Sequence, residues 1–571
     1  MMKFIQFDEE KCDSCYKCLR TCPTKAISFF EDKRHIIDKL CIKCGLCQSS
    51  CPQEALKIRS SVDQVMDMIN RGEKVAVSIA PSFVGAFALD EPKVMVGALK
   101  YLGFDIIEET AIGAELVANF YDDYISEGSH GNIITSCCPS ANYLIEQHYP
   151  LVIPSVIPVV SPMIAHGRSI KKRYGEEIKV VFIGPCLAKI AEAEEIEGSI
   201  DAVLTFDELD KMIKRTSIKL HDFASLPFNR ISKTRGRAFP LGGSLKKNGK
   251  TIVDDSYRYI HVDGIEACKE ILNEVRLGSI SHCCIELNIC EGSCINGPDM
   301  PNNYLGRFAR ELYMRKYVDS EFETKATGQT KLQPVDLKRS FEDRQEVYSI
   351  PNMDVIKQIM AKMGKRNSDD ELNCGACGYK TCHDKAVAVF LNYSDIETCL
   401  PYLREKAESM QSVMIENSPN AVVLIDSSFE VKEINPSFGR MFNKDDLPVE
   451  EMPITLFIDH PIFNEVIENK KSIHNRKIYV QELDCYYFVN MVYLEDQQMM
   501  LGFLTDISSD EQRQREFTKV KEETLLKTQE VIDKQMRVAQ EIASLLGETT
   551  AETKMSLKSL NALVLQDRGG L

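Results

Sequence analysis

The chain has 571 residues, 44% of them hydrophobic, which is more than a single core organises, so several globular domains are expected. A formal charge of -16 argues against a nucleic-acid-binding surface and is compatible with a docked protein partner. The 21 cysteines fall mostly in short metal-ligand spacings, with no apolar leader and no membrane-length run, so we expect a reducing cytoplasm, no membrane span and no disulfide scaffold.

Residues 1–60 carry Cys12, Cys15, Cys18 and Cys22 followed by Pro23, and then Cys41, Cys44, Cys47 and Cys51 followed by Pro52, the same run 29 residues further on. This is the bacterial two-cluster ferredoxin pattern, in which the fourth cysteine of each run crosses to the other cluster. Cys12, Cys15, Cys18 and Cys51 are therefore expected to hold one [4Fe-4S] cluster, and Cys41, Cys44, Cys47 and Cys22 the second. Two zinc sites are the alternative; the cluster reading implies electron relay.

From Ser61 to about residue 317 the pattern turns to α/β. Val75 to Ala80, Ile133 to Ser136 and Val180 to Gly184 are short apolar runs ending in small or polar residues, as buried parallel strands do when they deliver a site at their carboxyl ends. Three such strands would aim Ser82, Cys138 and Cys186 at one crevice. Asp201 to Phe206 reads as a further strand and Val94 to Leu102 as a packing helix, while Gly242-Gly243 in the run Phe239 to Ser244 reads as a plain turn.

Three runs in this region carry the chemistry: Thr135-Ser136-Cys137-Cys138-Pro139-Ser140, Gly184-Pro185-Cys186-Leu187-Ala188-Lys189, and Glu286 to Cys294 with cysteines at 290 and 294. The side chains of adjacent cysteines diverge, so Cys137-Cys138 suggests one ligand beside one acid-base thiol. Cys138, Cys186, Cys290 and Cys294 then supply four thiolates from three loops. In order and content the runs resemble the signature motifs of the iron-only (FeFe) hydrogenases, over roughly residues 1–315. The resemblance implies an H-cluster, a cubane joined through one cysteine to a diiron unit with carbonyl, cyanide and a bridging amine dithiolate. It further implies that Cys138, Cys186, Cys290 and Cys294 hold the cubane with Cys294 as the bridge, that Cys137 passes protons to the amine, and that Lys189 holds a cyanide. Ala80-Pro81-Ser82 resembles the first loop lining the diiron pocket.

Departures from the family pattern are equally specific. Gly184 and Asn288 stand where the family places methionines, which predicts a more open or more polar pocket. After Gly113-Ala114-Glu115 the proton-conducting glutamates of the family give way to Asn119-Phe120-Tyr121, with Asp122 and Asp123 as substitutes or simply a solvated helix face. Cys268, Cys283 and Cys284 match no ligand position and read as small buried residues.

Residues 318–345, including Thr327-Gly328-Gln329-Thr330, are polar and read as a linker or a wrapping arm. Residues 346–404 contain a helical stretch, Val355 to Met363, and then Cys374, Cys377, Cys382 and Cys399. Glycines beside the first pair let backbone amides approach sulfide, and the segment resembles a small four-iron domain of redox and corrinoid proteins, with zinc as the alternative. Residues 405–508 resemble a PAS sensor domain, on Glu416 to Asp426, Val431 to Phe438 and three later strands, Lys477 to Gln481, Tyr486 to Tyr493 and Met499 to Asp506. His460 and His474 read as surface histidines, so no PAS cofactor is expected. Residues 509–571 read as a signalling helix in which Val531, Val538, Ile542 and Leu545 keep a coiled-coil-like spacing, Phe517, Val520 and Leu525 fit it imperfectly, and a homodimer is possible; a single amphipathic helix on the body is the alternative.

The expected fold is thus multidomain α/β: a two-cluster ferredoxin domain, an α/β H-cluster domain, a small iron-sulfur domain, an α+β PAS domain and a terminal signalling helix. Three functions compete. The first is a hydrogen or redox sensor that splits H2 slowly, exchanges electrons with a ferredoxin-type carrier, depends on maturation proteins and signals to a separate regulator, a phosphatase or kinase. The second is a ferredoxin-linked or bifurcating catalytic hydrogenase. The third is a non-enzymatic iron-sulfur scaffold.

Overall fold

The computed structural model divides into two compact units, Met1–Leu403 and Arg404–Leu571. It describes residues 4–31, 33–127, 131–232, 234–243, 257–301, 305–320, 334–346, 351–443, 448–449, 451–546 and 551–566. The run Thr327-Gly328-Gln329-Thr330 and Ser244 lie outside the described residues.

The first unit opens with strands β1 (Ile5–Phe7), β2 (Ile27–Phe30), β3 (Lys33–Ile36) and β4 (Leu56–Ile58), paired antiparallel as β1 with β4 and β2 with β3. The cysteine repeat reappears as a structural repeat. Helices Lys17–Thr21 and Leu46–Ser50 are each entered through a left-handed residue, Tyr16 (φ 56) and Gly45 (φ 78), and each ends on the fourth cysteine of its run, Cys22 and Cys51. Gly45 also needs its missing side chain: a Cβ there would lie 2.5 Å from Leu187 Cδ1 and 2.8 Å from Pro298 Cβ. The ferredoxin-like loop is thereby pressed against the segments that carry Cys186 and Cys294.

Two parallel sheets follow. Strands β5 (Val75–Ile79), β6 (Ile106–Glu109), β7 (Ile133–Ile134), β8 (Lys179–Gly184), β9 (Ala202–Thr205), β10 (Arg258–Asp263) and β11 (Cys283–Asn288) sort into one sheet of order β6-β5-β8-β9 and another of order β10-β11-β7. The runs read as strands are strands, but β7 lies in a different sheet from β5 and β8, so the crevice is assembled from two sheets. Every residue of β5 is buried, as parallel strands covered on both faces require. Beneath the first sheet, the fully buried Glu108 accepts hydrogen bonds from His166 Nε2 (3.1 Å), Arg173 (3.0 Å) and Tyr174 (2.7 Å), while His166 Nδ1 meets the Ser78 hydroxyl at 2.8 Å.

Residues 334–346 run along this domain. Val160 N donates to Leu337 O at 2.9 Å, Arg344 N to Glu146 O at 2.9 Å, and Arg339 pairs with the buried Glu192 at 2.9 Å. The cysteine-containing segment from Cys374 to Cys399 also belongs to the first unit, with helices Met353–Lys362 and Cys382–Phe390 packed on one another.

In the second unit, strands β12 (Ala421–Asp426), β13 (Val431–Ile434), β14 (Ile473–Val480), β15 (Cys485–Leu494) and β16 (Met499–Asp506) form an antiparallel sheet of order β13-β12-β16-β15-β14. Its core gathers Val423, Phe438, Phe457, Val489 and Leu504. The terminal region expected to be helical holds helix Ser508–Leu546 and, after it, a second helix, Ala551–Gln566, with Asn561 Nδ2 donating to Gln529 Oε1 at 2.7 Å. Phe517, Val520 and Leu525, which fit a heptad seam poorly, line a groove with Leu560 of the second helix.

Candidate functional site

Cys12, Cys15, Cys18 and Cys51 line one small cavity, walled otherwise by Phe7, Tyr16, Phe29 and Leu56. The crossing of the fourth cysteine follows from the β1–β4 pairing, which returns Cys51 to the side of Cys12. Cys41, Cys44, Cys47 and Cys22 form the companion group, near enough for their charges to repel one another. Burial pushes the Cys41 thiol up to about 11 and the Cys44 thiol up to about 12. Ionising these thiols therefore needs compensating positive charge, which iron supplies.

The larger site lies where the two sheets meet. Cys138 caps helix Pro139–His148 at the end of the β7 segment, Cys186 follows β8, and Cys290 and Cys294 follow β11. The four are mutually close: Cys290 faces Cys186, Cys138 and Cys294, and Cys294 faces Cys138, Cys186 and Cys137. Burial raises every one of these thiols, Cys186 to about 11.

Cys137 sits beside this set. Burial first, and the Glu286 carboxylate second, push its thiol up to about 12, which keeps it protonated at neutral pH. Lys189 Nζ reaches Glu192 at 2.9 Å and lies within electrostatic range of Cys137, Cys138, Cys186 and Cys294. Ala80-Pro81-Ser82 leaves the end of β5, with Ala80 N donating to Ile183 O at 2.8 Å. Ser82 is buried, and among the described residues its hydroxyl has no hydrogen-bond partner. An orphaned hydroxyl, four converging thiols, a protonated fifth and a buried ammonium suit an anionic iron-sulfur group with polar ligands, so the residues present fit the H-cluster that the motifs imply.

The open pocket expected at Gly184 is not what the structure has. A Cβ on Gly184 would lie 2.6 Å from Phe182 Cζ and 3.2 Å from Ala80 Cβ, so a phenyl ring fills the space a methionine stem would need. Asn288 is buried, and its backbone carbonyl accepts from Cys268 Sγ at 3.3 Å. Asp123 is exposed, whereas Tyr121 on the same helix is buried and its hydroxyl accepts from Ser136 N at 3.1 Å. Cys268, Cys283 and Cys284 are buried.

Three functional candidates escaped the motif reading. Glu286 is the lone carboxylate in the apolar strand β11 and takes a hydrogen bond from Tyr259. Glu192 gathers Lys189, Ser161 (2.7 Å) and Arg339. Lys385 is a buried lysine inside an apolar helix, a pattern that could have flagged it.

A separate small cavity is lined by Cys374, Cys377, Cys382 and Cys399, together with Lys365, Tyr379 and Lys385. Among the described residues no three His, Cys, Asp or Glu side chains converge tightly enough to hold a single metal ion. No described helix is long and apolar enough to cross a membrane.

Comparison with known proteins finds family models that match four stretches of the chain. Residues 73–298 match the C-terminal domain of the iron only hydrogenase large subunit, and residues 11–55 a 4Fe-4S dicluster domain. Residues 370–401 match a putative Fe-S cluster domain and residues 409–476 a PAS domain. Iron hydrogenase 1 of Clostridium pasteurianum is 29% identical over 374 residues, which is 52% of this chain and 65% of that protein. The periplasmic [Fe] hydrogenase large subunit of Nitratidesulfovibrio vulgaris is 28% identical over 52% of this chain and 87% of its own length. A solved structure of the [FeFe]-hydrogenase HydA1 from Chlamydomonas reinhardtii aligns with a TM-score of 0.38 at 18% identity, covering 45% of this chain and 88% of that one. The chain therefore spans less than two thirds of the clostridial relative it matches.

Proposed function

We propose that this chain, whose residues 73–298 belong to the iron-only hydrogenase family, is a hydrogen or redox sensor that binds and slowly splits H2 and signals through its PAS domain. The observation that carries the reading is the convergence of Cys138, Cys186, Cys290 and Cys294 around Cys137 and Lys189. An H-cluster held there by Cys138, Cys186, Cys290 and Cys294 would supply a Lewis-acidic diiron unit and an internal base for heterolytic cleavage. The protein's own part is to anchor that group through four thiolates, to place an ammonium at Lys189 against its anionic ligands, and to hold a transferable proton on Cys137 Sγ. Each turnover releases two protons and two electrons. Cys137 would carry the protons away, and the cysteine group containing Cys44, which lies near Cys290, would hold the centre that takes the electrons on toward a ferredoxin-like carrier.

The sensory part of the reading is supported by the fusion of this domain to a PAS fold and two long helices, and by the ring of Phe182 where the family's flexible methionine would pack. A slow site serves a sensor better than a catalyst. Its output is expected to be a separate kinase or phosphatase in the cytoplasm. The test is infrared spectroscopy of the protein matured with its assembly partners, first under hydrogen and then under argon, combined with turnover measurement. Carbonyl and cyanide bands that shift with hydrogen alongside slow turnover are expected. No such bands in matured protein overturns hydrogenase chemistry, and fast turnover overturns the sensory assignment in favour of a catalytic hydrogenase.

A further inference from the structure

The four-cysteine segment is built onto the ferredoxin-like domain, not beside it. Asp395 N donates to Phe29 O at 2.9 Å, Phe29 N donates to Tyr393 O at 3.3 Å, and Glu31 N donates to Asp395 Oδ2 at 2.9 Å. Phe29 and Ser394 form a parallel bridge. The segment is thus continued from the edge of β2.

The loop between Cys374 and Gly378 makes the second contact. Gly378 has a φ of +91°, and a Cβ there would lie 2.8 Å from Leu19 Cγ and 3.3 Å from Arg20 N. Arg20 Nη1 donates to Ala376 O at 3.3 Å. Leu19 lies between Cys18, which belongs to the first ferredoxin-like group, and Cys22, which belongs to the second. It is fully buried, and Cys18, Cys22, Cys377 and Tyr379 share one apolar cluster with it. The Cys377 end of one cavity and Cys22 of the second ferredoxin-like group thus share one packed cluster.

That second group touches the hydrogen-activating domain on its other side, through Gly45 against Leu187 and Pro298. It is therefore a junction with three neighbours: the first ferredoxin-like group through the helix shared by Cys18 and Cys22, the larger site, and the Cys374–Cys399 cavity.

We propose that the Cys374, Cys377, Cys382 and Cys399 site is a side branch of the electron relay, reduced by one electron from the second ferredoxin-like group across the Leu19–Gly378 contact. This rests on reading the four cysteines as an iron-sulfur site. In the step the Cys22, Cys41, Cys44 and Cys47 centre is oxidised by one electron and the branch centre is reduced by one; no bond forms or breaks. The electron comes from H2 oxidation or from an external low-potential carrier.

Lys385 gives the branch its polarity. Its ammonium is buried in the cavity wall, donating to Asp395 O at 2.6 Å and to the hydroxyls of Ser394 and Thr398, and it stands 5.6 Å above the Tyr379 ring. A positive charge beside a cluster stabilises the added electron. The helix Leu400–Glu416 begins at the residue after Cys399, so the reduced centre is joined covalently to the segment that leads into the PAS sequence.

The test is electron paramagnetic resonance of the full chain with its clusters in place, reduced stepwise by dithionite and, separately, by hydrogen. Wild type is expected to show spin interaction between the branch centre and the second ferredoxin-like centre. Cys382→Ala is expected to lower bound iron by about one four-iron cluster per chain and to remove that interaction. Gly378→Val is expected to keep the iron and weaken the interaction. A wild-type spectrum equal to that of Cys382→Ala plus an isolated signal overturns the branch while leaving the cluster intact. Unchanged iron in folded Cys382→Ala overturns the cluster reading itself. If neither variant accumulates folded, Lys385→Met serves: a lower midpoint potential for this centre at constant iron is expected, and an unchanged one overturns its role as electron acceptor.

Discussion

The Tyr259 hydroxyl donates to the Glu286 carboxylate across the neighbouring strands β10 and β11, and that carboxylate faces the thiol of Cys137. On helix Ala111–Ser126, Asp123 is exposed, and Tyr121 is the residue that turns inward. Glu286 is therefore the carboxylate placed to exchange protons with Cys137. Glu286→Gln should lower hydrogen turnover roughly 100-fold, the scale of a lost acid-base group, and Tyr259→Phe by less. Iron content and infrared bands should stay unchanged in both. Cys137→Ala should lose turnover to at least the same extent with its cubanes assembled, whereas Cys138→Ala should lose the site. Full turnover in Glu286→Gln would remove the proposed route.

The contrast between Cys137 and Glu286 shows what the sequence carried and what it did not. Ligand cysteines announce themselves because a cluster demands several thiolates at short, repeated spacings, and Cys12 to Cys51 can be grouped without any structure. Glu286 depends on which strand lies beside β11, and parallel pairing between distant segments leaves no local signature. Gly184 misled for a similar reason: a missing side chain reads as space until Phe182, two residues earlier, is seen to fold back into it. The packing of Ala551–Gln566 against the longer helix was equally hidden, because contacts such as Asn561 with Gln529 join residues far apart in sequence.

Filling by Phe182 has an energetic consequence. Gly184→Met restores the family residue but places its Cβ 2.6 Å from the ring, so the ring must move within a close-packed sheet. Overpacking of this kind costs about 1–3 kcal/mol. The variant should unfold at lower urea concentration than wild type, and adding Phe182→Ala should recover part of the loss. A Gly184→Met protein as stable as wild type would mean that the ring has another rotamer available.

Glu108 should make stability depend on pH. Burial would raise its carboxyl, but His166, Arg173 and Tyr174 outweigh that and hold it down to about 2. Because the folded value is depressed, the stabilisation is present above the unfolded value near 4.5 and is lost as pH falls toward 2. Two to three pKa units correspond to roughly 3 kcal/mol. The urea midpoints of wild type and Glu108→Gln should differ most at pH 7, and the gap should narrow progressively below pH 4.5. A gap independent of pH would mean that the side chain contributes by packing and not by charge.

Asn435 is the corresponding fixed point of the PAS fold. Its Oδ1 accepts from Val422 N at 2.8 Å and Phe438 N at 2.9 Å, capping helix Pro436–Phe442, while its Nδ2 donates to Ile415 O at 3.0 Å and Asn420 O at 2.9 Å. One buried side chain thus ties the end of helix Leu400–Glu416 to the sheet and to the next helix. Losing a cap and leaving buried backbone groups unpaired costs about 2 kcal/mol or more. Asn435→Ala should lower the melting temperature of the PAS unit and speed amide exchange at Val422 and Phe438, with iron content and hydrogen turnover unchanged. If the helix transmits redox state to the PAS domain, the same variant should also abolish any reduction-dependent change in PAS amide exchange. Persistence of that change would show that the signal travels by another path.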